Sequence, residues 1–183
     1  MDLDLIGNPI SRAIEFATRM HHGQYRKGTF IPYIVHPMEV MQILKENQAD
    51  ETTIVCGILH DTLEDTVATP EIIEQMFGEE VLSIVNVESE HKELPYRERK
   101  AEHMNRVKNG PVKAKMVNCA DKLANIKSMY LDYLYIKDEL WKRFNGTKDD
   151  IKWYYSLAIE CLKEVKNTKM YKDLQYYFNK LFE

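Results

Sequence analysis

The side chains best suited to chemistry lie close together in the segment HDTLED, residues 60–65. At about 100° per helical residue, the His, the first Asp, the Glu and the last Asp would share one face of a helix. The preceding residues, 55–59, are continuously apolar, so we expect this helix to emerge from the core with its polar face towards a pocket. Crowded carboxylates in a half-buried site repel one another unless a cation neutralises them. The segment therefore predicts a cation site, with a solvated helix end as the alternative.

Two other segments carry isolated groups of the same kind. His36 precedes Pro37, and a lone histidine there is either structural or a ligand. Asp121 lies in an apolar helical stretch with Asn125 one turn later, and a buried carboxylate needs a partner. We expect Lys122 to point elsewhere on that helix. Spacing alone does not connect these segments with residues 60–65 in space.

The elements that must position these groups are predicted to be helices. Five of the six prolines precede stretches whose apolar residues recur with helical spacing: Pro9, Pro37, Pro70, Pro95 and Pro111. Asp50 is a predicted N-cap, and residues 116–134 and 151–165 are predicted long helices. Alternating strand patterns and internal repeats are both absent from the sequence. We therefore predict an all-α fold, a single helical bundle of nine or ten helices.

Composition restricts the class of protein. The 183 residues suit one domain, spanning residues 1–183. The 25 Lys and Arg against 29 Asp and Glu give a net charge of −4, which disfavours a nucleic-acid partner but not a small anionic ligand. Apolar runs are too short for a membrane span, and the first four residues carry two acids and no base, unlike a signal peptide. The three cysteines form no CxxC pair, so we expect reduced thiols and a cytoplasmic location.

The order of the polar groups resembles that of the HD-domain superfamily of metal-dependent phosphohydrolases. Further motifs surround these groups: Phe16-Ala17, His21, Gly23-Gln24, Arg26-Lys27-Gly28, Pro32-Tyr33-Ile34, His36-Pro37, Leu59-His60-Asp61-Thr62, Glu64-Asp65-Thr66, Phe77-Gly78, Glu98-Arg99-Lys100 and Ala120-Asp121-Lys122-Leu123. They narrow the resemblance to the (p)ppGpp hydrolase domain of RelA/SpoT enzymes, and within it to the small stand-alone alarmone hydrolases. The resemblance runs from about residue 10 to residue 129, and residues 130–183 form an aromatic-rich helical C-terminal part.

The resemblance implies one divalent metal ion, Mn²⁺ in that family. The residues that match its four ligands are His36, His60, Asp61 and Asp121. Two imidazoles and two carboxylates suit Mn²⁺, Fe²⁺ or Zn²⁺, and the chemistry of the ligands does not choose among them. Glu64 and Asp65 match the acidic pair that positions and activates the attacking water.

The resemblance also implies a nucleotide pocket. Arg26 and Lys27 match basic residues that flank the nucleotide, and Asn125 matches a polar residue that lines the pocket. The C-terminal part holds eight of the eleven tyrosines, and there Lys152 and Tyr155 are candidates for holding a phosphate and stacking on a base. Helix packing is the alternative for these aromatic residues.

Two charged stretches leave alternatives open. In VESEHK, residues 87–92, an acid stands on each side of Ser89, where many alarmone hydrolases have a Val-Thr pair ahead of a Lys. We expect these acids to change which base or phosphate is accepted. The run YRERK, residues 96–100, is either a solvated helix or the edge of a phosphate site.

These observations favour a metal-dependent hydrolase that removes the 3′-pyrophosphate of (p)ppGpp and leaves GDP or GTP. The first alternative is an HD phosphohydrolase for another nucleotide, such as a deoxynucleotide or a phosphorylated dinucleotide cofactor. The second is a non-catalytic nucleotide sensor, which would need no water-activating acids. Whether the terminal aromatic residues, 176–178, belong to the core or to a homo-oligomer contact is open.

Overall fold

A computed structural model describes residues 7–90 and 93–183 of the chain. These residues form ten α-helices, short 3₁₀ segments and one isolated β-bridge between Tyr25 and Pro32, which confirms the all-α prediction. Among the described residues, no helix is both long enough and apolar enough to cross a membrane. The acidic first four residues, from which we expect no signal peptide, lie outside the described residues, and so do His91 and Lys92 of the VESEHK stretch.

The helices follow the chain in this order: α1 (Pro9–Met20), α2 (Val35–Glu46), α3 (Glu51–Leu59), α4 (Thr62–Asp65), α5 (Pro70–Phe77), α6 (Glu79–Glu88), α7 (Tyr96–Asn109), α8 (Val112–Ile136), α9 (Lys148–Cys161) and α10 (Lys169–Phe182). Two 3₁₀ helices, Lys137–Arg143 and Lys163–Val165, follow α8 and α9.

Helix starts follow the local signals in the sequence. Pro9 and Pro70 are the first residues of α1 and α5, where a missing N–H costs nothing because no intrahelical acceptor exists for it. The Asp50 carboxylate caps α3 by accepting the backbone N–H of Thr53 at 2.8 Å. Pro37 differs slightly from the prediction, since it is the third residue of α2 and lies within its first turn.

The segment that contains His60 is not one continuous helix, contrary to our expectation. Helix α3 ends at Leu59 and the single turn of α4 begins at Thr62. The ring Nδ1 of His60 bonds to the carbonyl of Gly57 at 2.8 Å, and the Thr62 hydroxyl donates to the carbonyl of Leu59 at 2.6 Å. These side chains take carbonyls that the next helical N–H groups would otherwise use, so the helix breaks at the polar residues.

The long helix α8 is the centre of the bundle and contacts α2, α3, α6, α7 and α10. Helices α2 and α3 approach each other closely at Gly57, where an added Cβ would lie 2.3 Å from Leu44 Cδ1. Because α2, α3 and α8 meet in this way, the start of α2, the end of α3 and the middle of α8 share one end of the core.

The C-terminal part packs on this core. Helix α10 lies against α8, and α9 lies against α7. The predicted helix over residues 116–134 lies within α8, whereas the one predicted over 151–165 is α9 followed by the 3₁₀ helix Lys163–Val165. After α8 the chain turns at Lys137, a non-glycine residue with φ of 50°, and residues 137–145 return towards the loop that follows α1.

Candidate metal centre and adjoining cavity

Four polar side chains from α2, α8 and the break between α3 and α4 meet at this end of the core. His36 Nε2 lies 3.1 Å from Asp121 Oδ1 and 3.6 Å from Asp61 Oδ2. His60 Nε2 lies 3.0 Å from Asp61 Oδ2 and 3.7 Å from Asp121 Oδ1. The structure thus brings together the four residues that the resemblance matched to metal ligands, although they are separated by up to 85 residues in the chain (36 to 121).

The chemistry of this cluster fits a divalent cation. His60 Nε2 is buried and makes no hydrogen bond of good geometry with the described residues, while its Nδ1 is fixed on the Gly57 carbonyl. That arrangement directs a ring lone pair at the two carboxylates, as in protein metal sites. Three of the side chains, His36, His60 and Asp121, offer donor atoms within 4.8 Å of one another.

The protonation equilibria of the cluster have identifiable causes. Burial lowers the pKa of His36, which favours the neutral ring that a metal ligand requires. Burial also acts to lower the pKa of His60, but the Asp61 and Asp121 carboxylates outweigh it and raise that pKa above its usual value. Both carboxylates therefore attract a proton onto the His60 ring. A cation bound at the same place would take over that attraction and keep the ring deprotonated.

Three further side chains orient the two carboxylates. The Tyr33 hydroxyl donates to Asp61 Oδ2 at 2.6 Å. The Asn125 amide donates to Asp121 Oδ1, and the Lys122 ammonium donates to Asp121 Oδ2, each at 2.5 Å. Our expectation that Lys122 points away from Asp121 is therefore wrong, because its long side chain bends back along the helix to the adjacent carboxylate. Burial opposes ionisation of Asp121, but Lys122 and the two imidazoles hold its pKa well below the usual value.

The acidic pair of α4 divides between two environments. Glu64 is half-buried and lines a cavity of about 160 Å³ together with the four clustered residues. Its Oε2 accepts the backbone N–H of Glu90 at 3.0 Å, and burial raises its pKa. Asp65 is exposed and does not line this cavity, and its carbonyl accepts the Gln24 amide at 2.7 Å. The structure therefore brings Glu64, but not Asp65, to the edge of the cluster.

A second cavity, of about 360 Å³, adjoins the first. Tyr33, Lys100, Lys122 and Asn125 line both of them. Six cationic side chains line the larger cavity: Arg26, Lys27, Arg99, Lys100, Lys122 and Arg143. Among the described lining residues Asp132 is the one acid, and the aromatic ones are Tyr33, Tyr96, Phe144, Tyr154 and Tyr155. A cavity of this composition suits a polyanion that carries a flat ring.

Most of the residues matched to nucleotide binding line this larger cavity. Arg26 donates to Asn125 Oδ1 at 2.8 Å, and Lys27 donates to Asn145 Oδ1 at 3.3 Å, so both cations contact neutral amides there. Tyr155 is buried in the wall of the cavity. The loop carrying these cations also needs Gly28, whose φ is 73° and whose added Cβ would lie 2.8 Å from Arg143.

Lys152 does not take part in this cavity, so its assignment to the pocket needs correction. Its ammonium lies 3.3 Å from the carbonyl of Phe182 near the end of α10. On α9 the cavity is lined by Ile151, Tyr154 and Tyr155, and Lys152 is turned by about 100° from Ile151.

Sequence reasoning missed several residues of the site. Tyr33 and Lys122 were visible only as parts of motifs, and their contacts depend on the tertiary fold. Lys100 was visible in the YRERK run, for which a phosphate edge was one of two alternatives. Its ammonium and that of Lys122 lie 4.7 and 5.2 Å from the centre of the Tyr154 ring. That stacking places two cations at the junction of the cavities.

Comparison with known proteins finds a family model and relatives that match most of this chain. A family model described as "HD domain" matches residues 13–134. A GTP pyrophosphokinase from Myxococcus xanthus is 47% identical over 85 residues, which are 46% of this chain and 11% of that protein. The guanosine-3′,5′-bis(diphosphate) 3′-pyrophosphohydrolase MESH1 of Xenopus tropicalis is 35% identical over 162 residues, 87% of this chain and 86% of that protein. A solved metazoan ortholog of SpoT that hydrolyses ppGpp has the same fold, with a TM-score of 0.77, 24% identity and coverage of 94% of each chain.

Proposed function

Because this chain belongs to the HD domain family, we propose that it is a metal-dependent pyrophosphohydrolase that converts (p)ppGpp into GDP or GTP and pyrophosphate. The observation that carries the proposal is the junction of the two cavities. The cluster of His36, His60, Asp61 and Asp121 opens, past Tyr33, Lys100, Lys122 and Asn125, onto a space lined by six cationic side chains. A reactive centre and a polyanion site in direct connection suit a nucleotide with phosphate groups at two positions.

The metal is proposed to be Mn²⁺, held by those four side chains. Their two imidazoles and two carboxylates also suit Fe²⁺ or Zn²⁺, so the identity of the ion rests on the resemblance. Such an ion supplies Lewis acidity, which polarises a phosphoryl oxygen and makes a nearby water more acidic. Tyr33, Asn125 and Lys122 fix the orientations of the carboxylates before any ion arrives.

In the proposed reaction, water attacks the phosphorus attached to the 3′ oxygen of the ribose. The P–O3′ bond breaks, the water oxygen remains in pyrophosphate, and a proton ends on the 3′ oxygen. Glu64 is the proposed proton acceptor, because it is half-buried beside the cluster and burial raises its pKa, which makes it a stronger base. Asp65, which is exposed, is proposed to act only electrostatically, since Glu64 and Tyr33 both sense its charge.

The larger cavity is the proposed site of the remaining phosphates and the base. Arg26 and Lys27 face it and contact only neutral amides among the partners described above, so their charges are available to a diphosphate. Tyr155 and Phe144 provide aromatic surface for a purine. The other four cations of the cavity, Arg99, Lys100, Lys122 and Arg143, each form an ion pair with a carboxylate, which moderates their charge.

We propose in addition a cytoplasmic location and no nucleic-acid partner. The free thiols of Cys56, Cys119 and Cys161 support a reducing compartment. A non-catalytic sensor is disfavoured because Glu64 lies beside the cluster, where pure binding would require no proton acceptor.

The proposal is tested by turnover of a nucleotide panel. Protein loaded with Mn²⁺ is incubated with ppGpp, pppGpp, deoxynucleoside triphosphates and NADPH, and kcat/KM is measured for each. We expect the guanosine tetra- and pentaphosphate to have the highest values, and Asp61→Ala to abolish turnover. A higher kcat/KM for another nucleotide would replace the substrate, and unchanged turnover in Asp61→Ala would refute the site.

A further inference from the structure

A turn at Ser89 and Glu90, directly after α6, connects the two parts of the site through the side chain and backbone of Glu90. Its carboxylate is 8% exposed, accepts a hydrogen bond from Lys100 and lies close to Arg99 and His103, all three on α7. Glu90 Oε1 lies 2.5 Å from Lys100 Nζ and 3.5 Å from His103 Nδ1, and Oε2 lies 2.9 Å from Arg99 Nε. Burial acts to raise the pKa of Glu90, but His103 and Lys100 lower it well below its usual value, so this carboxylate is ionised.

The backbone of the same residue contacts the proposed proton acceptor. The Glu90 N–H donates to Glu64 Oε2 at 3.0 Å. A backbone donor of this kind holds a carboxylate in one orientation only if the donor itself is fixed. The side-chain contacts of Glu90 with α7 provide that fixation. Glu90 itself lies outside any helix, and these contacts attach it to helix α7.

Neighbouring contacts hold the rest of the turn. The Arg106 guanidinium donates to the Ser89 carbonyl at 2.5 Å. On the other side of Ser89, the buried Glu88 carboxylate accepts the Asn118 amide at 2.8 Å and lies 3.9 Å from His103 Nε2. His103 therefore lies between the two acids, and side chains of α7 and α8 hold Glu88, Ser89 and Glu90 in place.

The acids around Ser89, which we expect to change the base or phosphate that is accepted, do not face the proposed base site. Glu88 and Glu90 line the smaller cavity with the metal cluster, and neither lines the larger one. Their charges act on α7 and on the region of the cluster, so a direct effect on base selection has no structural support.

We propose that Glu90 is a positioning residue for Glu64. Its carboxylate anchors the turn to α7 through Lys100, Arg99 and His103, and its N–H then holds the Glu64 carboxylate beside the metal cluster. The inference rests on the proposed function for the role of Glu64, but the anchoring itself is a property of the free protein. Loss of the anchor would lower kcat, whereas loss of a phosphate-binding cation would raise KM.

The experiment compares Glu90→Gln with Glu98→Gln, a matched change at an exposed position of α7. Circular dichroism and thermal unfolding establish that both variants are folded. Amide hydrogen exchange, followed by NMR on the free protein, reports the fixation of residue 90. We expect its amide to exchange at least tenfold faster in Glu90→Gln and at the wild-type rate in Glu98→Gln. Wild-type exchange in Glu90→Gln would overturn the anchoring.

The kinetic arm uses the best substrate of the nucleotide panel. We expect Glu90→Gln to lower kcat about tenfold or more, and to have no further effect when it is added to Glu64→Gln. An equal loss in both backgrounds, or a change confined to KM, would show that Glu90 acts through the cations and would overturn the inference. Wild-type protein that turns over no nucleotide would refute the proposed function alone, since the exchange measurement still decides whether Glu90 anchors the turn.

Discussion

Removal of the Tyr33 hydroxyl tests whether the cluster is a metal site whose ligands are oriented by their neighbours. The hydroxyl donates to Asp61 Oδ2 at 2.6 Å, a bond to a carboxylate that also faces His36 and His60. Tyr33→Phe deletes this one oxygen. The ring remains, with its contact to the His21 ring at 4.8 Å and its position under the Arg26 guanidinium, so the wall of the cavity keeps its shape.

The magnitude follows from the type of bond. A hydrogen bond to a charged group contributes about 1.5–3 kcal/mol. Since about 1.4 kcal/mol corresponds to a factor of ten, full expression of this loss in metal binding weakens the affinity about 10- to 100-fold. The hydroxyl is also kept protonated, because burial and the Asp61 carboxylate raise the pKa of Tyr33, so donation persists throughout the neutral range.

The assay is isothermal titration of metal-free protein with Mn²⁺ and, separately, with Zn²⁺. Tyr25→Phe is the control, because that tyrosine lies in the same loop, is 58% exposed and does not line the cluster cavity. We expect a Kd about 10- to 100-fold higher for Tyr33→Phe and an unchanged Kd for Tyr25→Phe. A folded Tyr33→Phe variant that binds both ions within twofold of wild type would refute the reasoning.

Three other predictions concern the cavity, the buried acids and the core. Arg26→Met should raise KM for a phosphorylated nucleotide about tenfold or more, because a charge-assisted contact is lost. Lys152→Met should leave KM unchanged, because that ammonium contacts the Phe182 carbonyl. Steady-state kinetics measure both values of KM, and the reverse order would remove Arg26 from the site. Burial raises the pKa of Glu88 to about 7, so the folded state binds the carboxyl proton more tightly than the unfolded state does. The resulting stabilisation of the fold is complete below pH 4.5 and is lost as the pH rises to 7. Denaturant unfolding should therefore show Glu88→Gln gaining stability relative to wild type by up to about 3 kcal/mol between pH 4.5 and 7.5, and a constant difference across that range would contradict the burial of the charge. Gly57→Ala places a Cβ 2.3 Å from Leu44 Cδ1, and thermal unfolding should show a loss of about 1–3 kcal/mol; equal or higher stability would mean that α2 and α3 are not so closely packed.

The helices were predictable because their signals are local. Asp50 caps α3 and Pro9 and Pro70 start α1 and α5 through contacts within one turn of the chain. The break at His60 was not predictable from periodicity, since it depends on the bonds of His60 to Gly57 and of Thr62 to Leu59, which compete with the helical pattern. A helical-wheel argument assumes the continuity that these bonds remove.

The candidate site was predictable in its residue types more than in its contacts. Spacing did not connect His36, His60 and Asp121, and only the resemblance joined them before the fold did so. Lys122 and Lys152 show why contacts are harder: each has a long side chain whose end lies far from its Cα. The first bends back to Asp121 and the second reaches the Phe182 carbonyl, and both outcomes depend on which acceptor the fold brings near.

The most direct test of the account follows the phosphorus products of ppGpp by ³¹P NMR. Wild-type protein with Mn²⁺ should produce pyrophosphate and GDP in equal amounts, and chelation of the metal or the substitution Glu64→Gln should suppress both. Orthophosphate as the first product, or pyrophosphate release that persists at the same rate in Glu64→Gln, would contradict the account.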